Sequence, residues 1–382
     1  MENFVVSARK YRPANFKSVV GQQHITTTLQ NAIGNNHLAQ AFLFCGPRGV
    51  GKTTCARILA KTINCENRTA DNEACGVCDS CVSFQNNSSF NIYELDAASN
   101  NSVDDIRNLV DQVRYAPQQG QYKVYIIDEV HMLSNQAFNA FLKTLEEPPK
   151  YAIFILATTE KHKIIPTILS RCQIFDFNRI QIKDISTHLK EIAEKEKVDY
   201  EEEALRLIAT KADGALRDAL SMFDLIVTYS AGKKVTYQET INNLHILDYD
   251  YYFKVVDALL AEQLGKVLLI LDEILRKGFD GHNFVVGLSE HFRDLLVCKD
   301  PATIQLIEVS DSAKSKYLEQ SQKASVSFLL STLNIANQCD IYYKTSKNQR
   351  LHVELALMKM AKLPSAFRLA SLASAEEPKK KT

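Results

Sequence analysis

Between residues 23 and 177 the chain alternates two hydrophobic patterns. Short apolar runs at Ala41–Cys45, Ile92–Asp96, Val124–Ile127, Ala152–Leu156 and Gln173–Phe177 read as strands, the first, third and fourth of them buried. Between them, apolar residues recur at helical spacing. Gln23 to Ile33 is one such stretch, and Thr53 to Asn64 is another, with a stripe at Ile58, Leu59 and Ile63. A third helix is capped by Ser102 and begins Val103-Asp104-Asp105-Ile106. A fourth, Ser134 to Glu147, carries Phe138, Phe141, Leu142 and Leu145 at i, i+3, i+4 and i+7, and stops at Pro148-Pro149. Strands alternating with helices predict an α/β fold around a parallel sheet of five strands. Beyond residue 180 the strand pattern ends. Regions of roughly 180–243 and 244–363 are helical throughout, the second with amphipathic sets such as Val255, Leu259, Leu260 and Val267, Leu268, Leu271.

The first strand runs into Gly46-Pro47-Arg48-Gly49-Val50-Gly51-Lys52-Thr53-Thr54, which fits the phosphate-loop pattern of two glycines followed by Lys and a hydroxyl residue. A strand, a glycine-rich turn and a helix start make an anion site, because backbone N–H groups turn inward and the helix N-terminus adds positive potential. Lys52 is expected at the β- and γ-phosphates of ATP, and the Thr53 hydroxyl on Mg2+. The third strand ends in Asp128-Glu129-Val130-His131, the Walker B arrangement, with Asp128 in the magnesium shell and Glu129 polarising the attacking water. Thr159, after the fourth strand, is placed to sense the γ-phosphate. Ligands of an open parallel sheet sit beyond the carboxyl ends of its strands. Arg171 instead precedes the fifth strand, so it lies at the edge opposite its own nucleotide. It is either an ordinary ion-pair partner or an arginine finger acting in trans on a neighbouring subunit. Arg217, opening a helix in Gly214-Ala215-Leu216-Arg217-Asp218-Ala219-Leu220, is a candidate lid residue over the phosphates. The basic N-terminal segment Ala8 to Pro13 reads two ways, as a solvated lead-in or as an arm over the adenine with Tyr11 and Val20 as apolar contacts.

After the phosphate-loop helix come Cys65, Cys75, Cys78 and Cys81. Four thiolates in so short a span suit one tetrahedral Zn2+ site, and the polar segment 66–74 has no core of its own without such a clip. An iron–sulfur cluster fits less well, since no proline follows as in the bacterial ferredoxin run, and free thiols are the other alternative.

Composition narrows the class. At 382 residues, two or three domains are expected. Lys plus Arg and Asp plus Glu each number 45, so the net charge is zero and any DNA contact must come from a local patch. The N-terminus lacks a signal core, and no apolar run approaches membrane-spanning length. A cytoplasmic, nucleoid-associated protein is expected, with most of its nine cysteines reduced.

Together with Tyr115-Ala116-Pro117, Phe141 to Pro149 and Ile168-Leu169-Ser170-Arg171-Cys172, these motifs resemble the gamma/tau subunits of the bacterial DNA polymerase III clamp loader, members of the AAA+ ATPases. The likeness is dense over about residues 1–225 and diffuse beyond. It implies an AAA+ domain over 1–179 with the cysteine module at 65–81 inserted, a helical lid at 180–243, an all-helical collar that oligomerises at 244–365, and a polar tail or linker at 366–382. It further implies an ATPase that assembles with delta, delta-prime and other gamma/tau copies, opens the beta sliding clamp and loads it on primed DNA, without any membrane role. The family's DNA-facing loop corresponds to Asn100, Asn101, Ser102 and Val103, with Arg107 nearby. It is uncharged here, so phosphate contact is expected through backbone groups. The chain stops near 382 without the long extension of the tau form, which marks a gamma-like product or a truncated one. The rival readings are another AAA+ machine, such as a Holliday-junction motor or a replication initiator, and a non-catalytic scaffold binding zinc and nucleic acid.

Overall fold

The computed structural model describes residues 5–86, 88–117, 120–230, 232, 234–244, 247–307, 309 and 311–375. The chain forms two compact units, Met1–Thr240 and Ile241–Thr382. In the first, α1 (Gln23–Gly34), β1 (Ala41–Cys45), α2 (Lys52–Ile63), α3 (Asp79–Gln85), β2 (Ile92–Asp96), α4 (Val103–Val113), β3 (Lys123–Asp128), α5 (Asn135–Glu146), β4 (Ala152–Thr158) and β5 (Gln173–Asp176) follow one another. The five strands form one parallel sheet in the order β2-β3-β4-β1-β5.

Alternation along the central strands divides the core into two layers. Phe42, Phe44, Val124, Ile126, Ile153 and Ile155 pack with Leu29, Ile58 and Leu59 of α1 and α2. Leu43, Tyr125, Ile127, Phe154 and Leu156 pack on the other face with Ile106 and Leu109 of α4 and with Phe138, Phe141 and Leu145 of α5. Burial of each such side chain is worth about 1.5–3 kcal/mol. Because β1, β3 and β4 are covered on both faces, they read as unbroken apolar runs. The edge strands β2 and β5 are half exposed and admit Glu94 and Asp176.

After the sheet this unit continues with helices that include α6 (Ile182–Glu196), α7 (Glu202–Lys211) and α8 (Leu216–Tyr229). A small parallel pair, β6 (Asp199–Tyr200) with β7 (Lys234–Val235), joins them. The second unit is helical: α9 (Tyr249–Leu260), α10 (Leu264–Arg276), α11 (Gly281–Val297), α12 (Asp311–Lys323), α13 (Val326–Tyr343) and α14 (Gln349–Ala375). They enclose one core around Val255, Leu259, Leu271, Phe284, Phe292 and Phe328. In it the imidazole of buried His291 lies 3.0 Å from the Tyr317 hydroxyl and 2.8 Å from Gln320 Oε1, and burial holds its pKa down at about 4. Residues 366–375 correct the expectation of a linker starting at 366. They continue α14, because Ala366, Leu369, Ala370, Leu372 and Ala373 are good helix formers, even though Pro364 lies inside the helix. The lysines at 379–381 lie outside the described residues. Among the described residues, no helix is long and apolar enough to cross a membrane.

Candidate active site

The phosphate loop, the end of β3 and the end of β4 meet at the carboxyl edge of the sheet, as an open α/β sheet requires. Gly46 adopts φ +147°, and a Cβ there would come within 2.4 Å of the Phe177 carbonyl oxygen, so only glycine lets the loop leave β1 beside the end of β5. Gly49, at φ +78°, lies so close to Ala215 that a Cβ would sit 3.0 Å from the alanine methyl. The Arg217 N–H donates to the Gly49 carbonyl at 3.3 Å, which seats the start of α8 on the loop. Gly51 is the left-handed cap of α2, ahead of Lys52, Thr53 and Thr54. Pro47, Arg48 and buried Val50 complete the turn.

Lys52 is buried, and its ammonium donates to the Gly46 and Pro47 carbonyls, each at 2.7 Å. Burial lowers its pKa, against the opposing pull of Glu129 and Asp128. The Thr53 hydroxyl donates to Asp128 at 2.6 Å. A hydroxyl and a carboxylate oxygen so close together form the hard-oxygen corner that Mg2+ prefers. Glu129 follows in the left-handed region, φ +47° and ψ +45°, a conformation that is costly for a side chain of its size. That backbone turns its carboxylate toward the end of β4, where the Thr159 N–H and hydroxyl donate to it at 3.2 and 2.9 Å. Asp128, Glu129, Thr159, Lys52 and Thr53 are thus brought together.

Two residues not singled out in the sequence join this group. His131, largely buried, sits 3.0 Å from the Thr158 hydroxyl, 3.4 Å from Glu129 and 3.1 Å from Glu160. Its only sequence signal was adjacency to the acidic pair. Arg12 donates through Nε to the Thr54 hydroxyl at 3.2 Å. Partial burial lowers its pKa first, then Arg57 and Arg217 do so, with Glu94 and Asp128 opposing. Positive groups that depress one another at a phosphate loop favour a polyanion between them.

Tyr11, expected at the adenine, gives its hydroxyl to Glu196 of α6, and Val20 is half-buried. Arg171 stands apart. It pairs with Glu146 at 2.7 Å and donates to the Thr167 carbonyl at 2.7 Å, at the start of β5. Asn100, Asn101 and Ser102 lie between β2 and α4, which Val103 opens. Ser102 and Asp105 form a reciprocal capping box, and Arg107 pairs with Asp104 at 3.4 Å.

The four cysteines converge. Their sulfurs all lie within 4.8 Å of one another, and those of Cys65 and Cys78 are 4.0 Å apart. Tetrahedral zinc with sulfur ligands at about 2.3 Å implies sulfur–sulfur spacings of about 3.8 Å, so the set fits. The Val77 and Cys78 N–H groups donate to Cys75 and hold its thiol down at about 6. Burial pushes the Cys81 thiol up.

A parallel sheet of this order, with a phosphate loop after β1, an acidic pair after β3 and a helical lid seated on the loop, defines the AAA+ class of fold. Family models agree with the position of these parts: residues 21–181 match "DNA polymerase III, delta subunit", and residues 184–232 match "DNA polymerase III clamp loader subunit, ATPase lid domain". The DNA polymerase III subunit tau of Bacillus subtilis is 41% identical over 352 residues, 92% of this chain and 62% of that protein. The DNA polymerase III subunit gamma of Buchnera aphidicola is 34% identical over 371 residues, 94% of this chain and 98% of that one. The chain therefore belongs to the gamma/tau family of DNA polymerase III subunits. It spans less than two thirds of the length of the Bacillus relative. Among solved structures, the Holliday junction branch migration motor RuvB of Thermotoga maritima aligns with TM-score 0.47 at 19% identity, over 65% of this chain and 79% of that one.

Proposed function

We propose that the protein is an ATPase subunit of the bacterial replicative clamp loader, which uses ATP binding and hydrolysis to open the sliding clamp and place it on primed DNA. The observation that carries this reading is the Thr53–Asp128 pair at 2.6 Å, beside buried Lys52 and with Glu129 held toward Thr159. Gly46 to Thr54 would cradle the phosphates, with Lys52 neutralising them. Thr53 and Asp128 would hold Mg2+, which stabilises the charge developing on the transferred phosphoryl group. Glu129 would orient the attacking water, Thr159 would report the γ-phosphate, and Arg217 would reach it from the lid. Tyr11 and Val20 are assigned to the base side, and Arg171 to the neighbouring subunit's site. Cys65, Cys75, Cys78 and Cys81 would hold a structural Zn2+, a reading supported by the convergence of their sulfurs.

Family membership supports delta, delta-prime, further gamma/tau copies, the beta clamp and primed DNA as partners, and the cytoplasm as the place of work. Asn100, Asn101, Ser102, Val103 and Arg107 are assigned to DNA phosphates, and the helical second unit to oligomerisation. The test is ATP hydrolysis by a complex reconstituted with the delta and delta-prime subunits, with and without clamp and primed DNA. Stimulation by both is expected. Hydrolysis indifferent to either, or none at all, overturns the proposal. Elemental analysis should give one zinc per chain, and iron in its place would refute that assignment.

A further inference from the structure

The cysteine module touches the segment that borders the phosphate loop. Glu73, two residues before Cys75, directs its carboxylate at the backbone of the N-terminal strap, residues 5–20. Its two oxygens accept from the Phe16 N–H at 3.1 Å and the Lys17 N–H at 3.0 Å, and one of them also accepts from the Gln30 amide of α1 at 3.2 Å. The turn carrying Glu73 is closed by the Thr69 N–H donating to the Glu73 carbonyl at 2.9 Å and by the Glu73 N–H donating to the Thr69 hydroxyl at 3.2 Å. That turn rests on α1, where Gln30 also donates to the Asp71 carbonyl at 3.2 Å. From Phe16 the strap runs back to Arg12, which reaches the Thr54 hydroxyl at 3.2 Å. It then continues to Ser7, whose N–H donates to Asp224 of α8 at 2.7 Å. One end of the strap is thus fixed by the cysteine module, its middle lies on the phosphate-loop helix, and its far end holds the lid.

We infer that the metal module serves as the anchor of this strap, with Glu73 as the positioning residue that transmits metal-dependent order to the nucleotide site. A carboxylate accepting two successive backbone N–H groups fixes both the path and the pitch of the chain there. The loop 66–74 keeps that carboxylate aimed only while Cys65 and Cys75 are tied together. Loosening the anchor leaves the site intact but seated for a smaller fraction of the time, and apparent nucleotide affinity falls by that fraction.

This inference rests on the nucleotide-site reading above. Its test uses the full chain loaded with zinc, a fluorescent ADP analogue and amide hydrogen exchange. Glu73→Ala should retain its zinc, speed exchange at Phe16 and Lys17, and weaken the analogue's binding by roughly three- to tenfold. Glu73→Gln, which keeps one acceptor oxygen, should fall between it and wild type. Chelation of zinc from the wild-type chain should speed exchange at the same two amides. Should Glu73→Ala lose metal, Glu73→Gln replaces it in the comparison. Retained zinc with unchanged affinity and unchanged exchange overturns the inference alone. A wild-type chain that does not bind the analogue overturns the nucleotide-site reading with it.

Discussion

Glu129 combines a strained backbone with two donors from Thr159, and these set what its replacement should do. Glu129→Gln keeps the shape and loses the charge that orients water, so it should bind nucleotide normally and lose roughly 10²-fold or more in hydrolysis. Lys52→Ala removes the one buried cation of the loop and should weaken binding itself. Equal affinity of both variants for a fluorescent ATP analogue would refute these roles. His131 bridges the Thr158 hydroxyl and Glu160 while standing 3.4 Å from Glu129. His131→Ala should therefore lower kcat with KM nearly unchanged, because the end of β4 that holds Glu129 loses its brace. A rise in KM with unchanged kcat would place His131 in binding instead. The acidic pair itself was legible in the sequence, since an apolar run ending in Asp-Glu supplies the magnesium and water ligands that an upstream phosphate loop lacks. The left-handed turn at Glu129 and the His131 contacts were not, because they arise where the ends of β3 and β4, well separated along the chain, meet in the sheet.

Among the elements, helices and central strands were readable from periodicity, and Ser102 was readable as a helix cap, though not its reciprocal box with Asp105. The strand order and the course of the N-terminal strap were not, because both depend on contacts such as buried Gln22, whose amide donates to the Asn178 carbonyl at 2.7 Å. The same limit applied to the DNA-facing reading of α4. Periodicity located the helix start, and the uncharged loop was apparent, but only the packed helix gives Arg107 a partner in Asp104. An exposed pair at this distance contributes about 0–1 kcal/mol, so it yields readily to a phosphate. Asp104→Asn removes the competing carboxylate and should tighten binding to primed DNA, while Arg107→Ala should weaken it and make its salt dependence shallower, by about one unit of logarithmic slope. Affinity measured at several salt concentrations checks both, and no response to either substitution would remove this helix from the DNA contact. For the cysteine module, Cys78→Ser should release zinc and lower stability while nucleotide binding survives in weakened form. Full loss of binding would instead make the module part of the site.

At the scale of the whole molecule, the sheet separates two edges, and the proposed sharing of a catalytic site between subunits follows from where each residue stands on it. Lys52, Asp128, Glu129 and Thr159 stand at the carboxyl ends of β1, β3 and β4, whereas Arg171 stands at the start of β5 and reaches Glu146 at the end of α5. No side-chain motion brings Arg171 across the sheet to its own phosphates, but a ring or spiral of like subunits presents that edge to the next site. The Arg171–Glu146 pair is partly exposed, and breaking it costs about 0–1 kcal/mol, little against what a finger contributes at a transition state. Arg171→Ala should then leave nucleotide affinity nearly normal and cut hydrolysis by about 10³-fold or more. Glu146→Gln separates the roles: if the arginine is only structural, losing either partner should be equally harmful, whereas a finger freed of its resting partner should hydrolyse ATP at least as fast as wild type. Mixing Arg171→Ala subunits with Lys52→Ala subunits completes the argument. A subunit with an intact phosphate loop beside one with an intact finger regains a full site, so mixed assemblies should hydrolyse ATP faster than either variant alone. No recovery, in assemblies shown to contain both variants side by side, would confine Arg171 to its own chain.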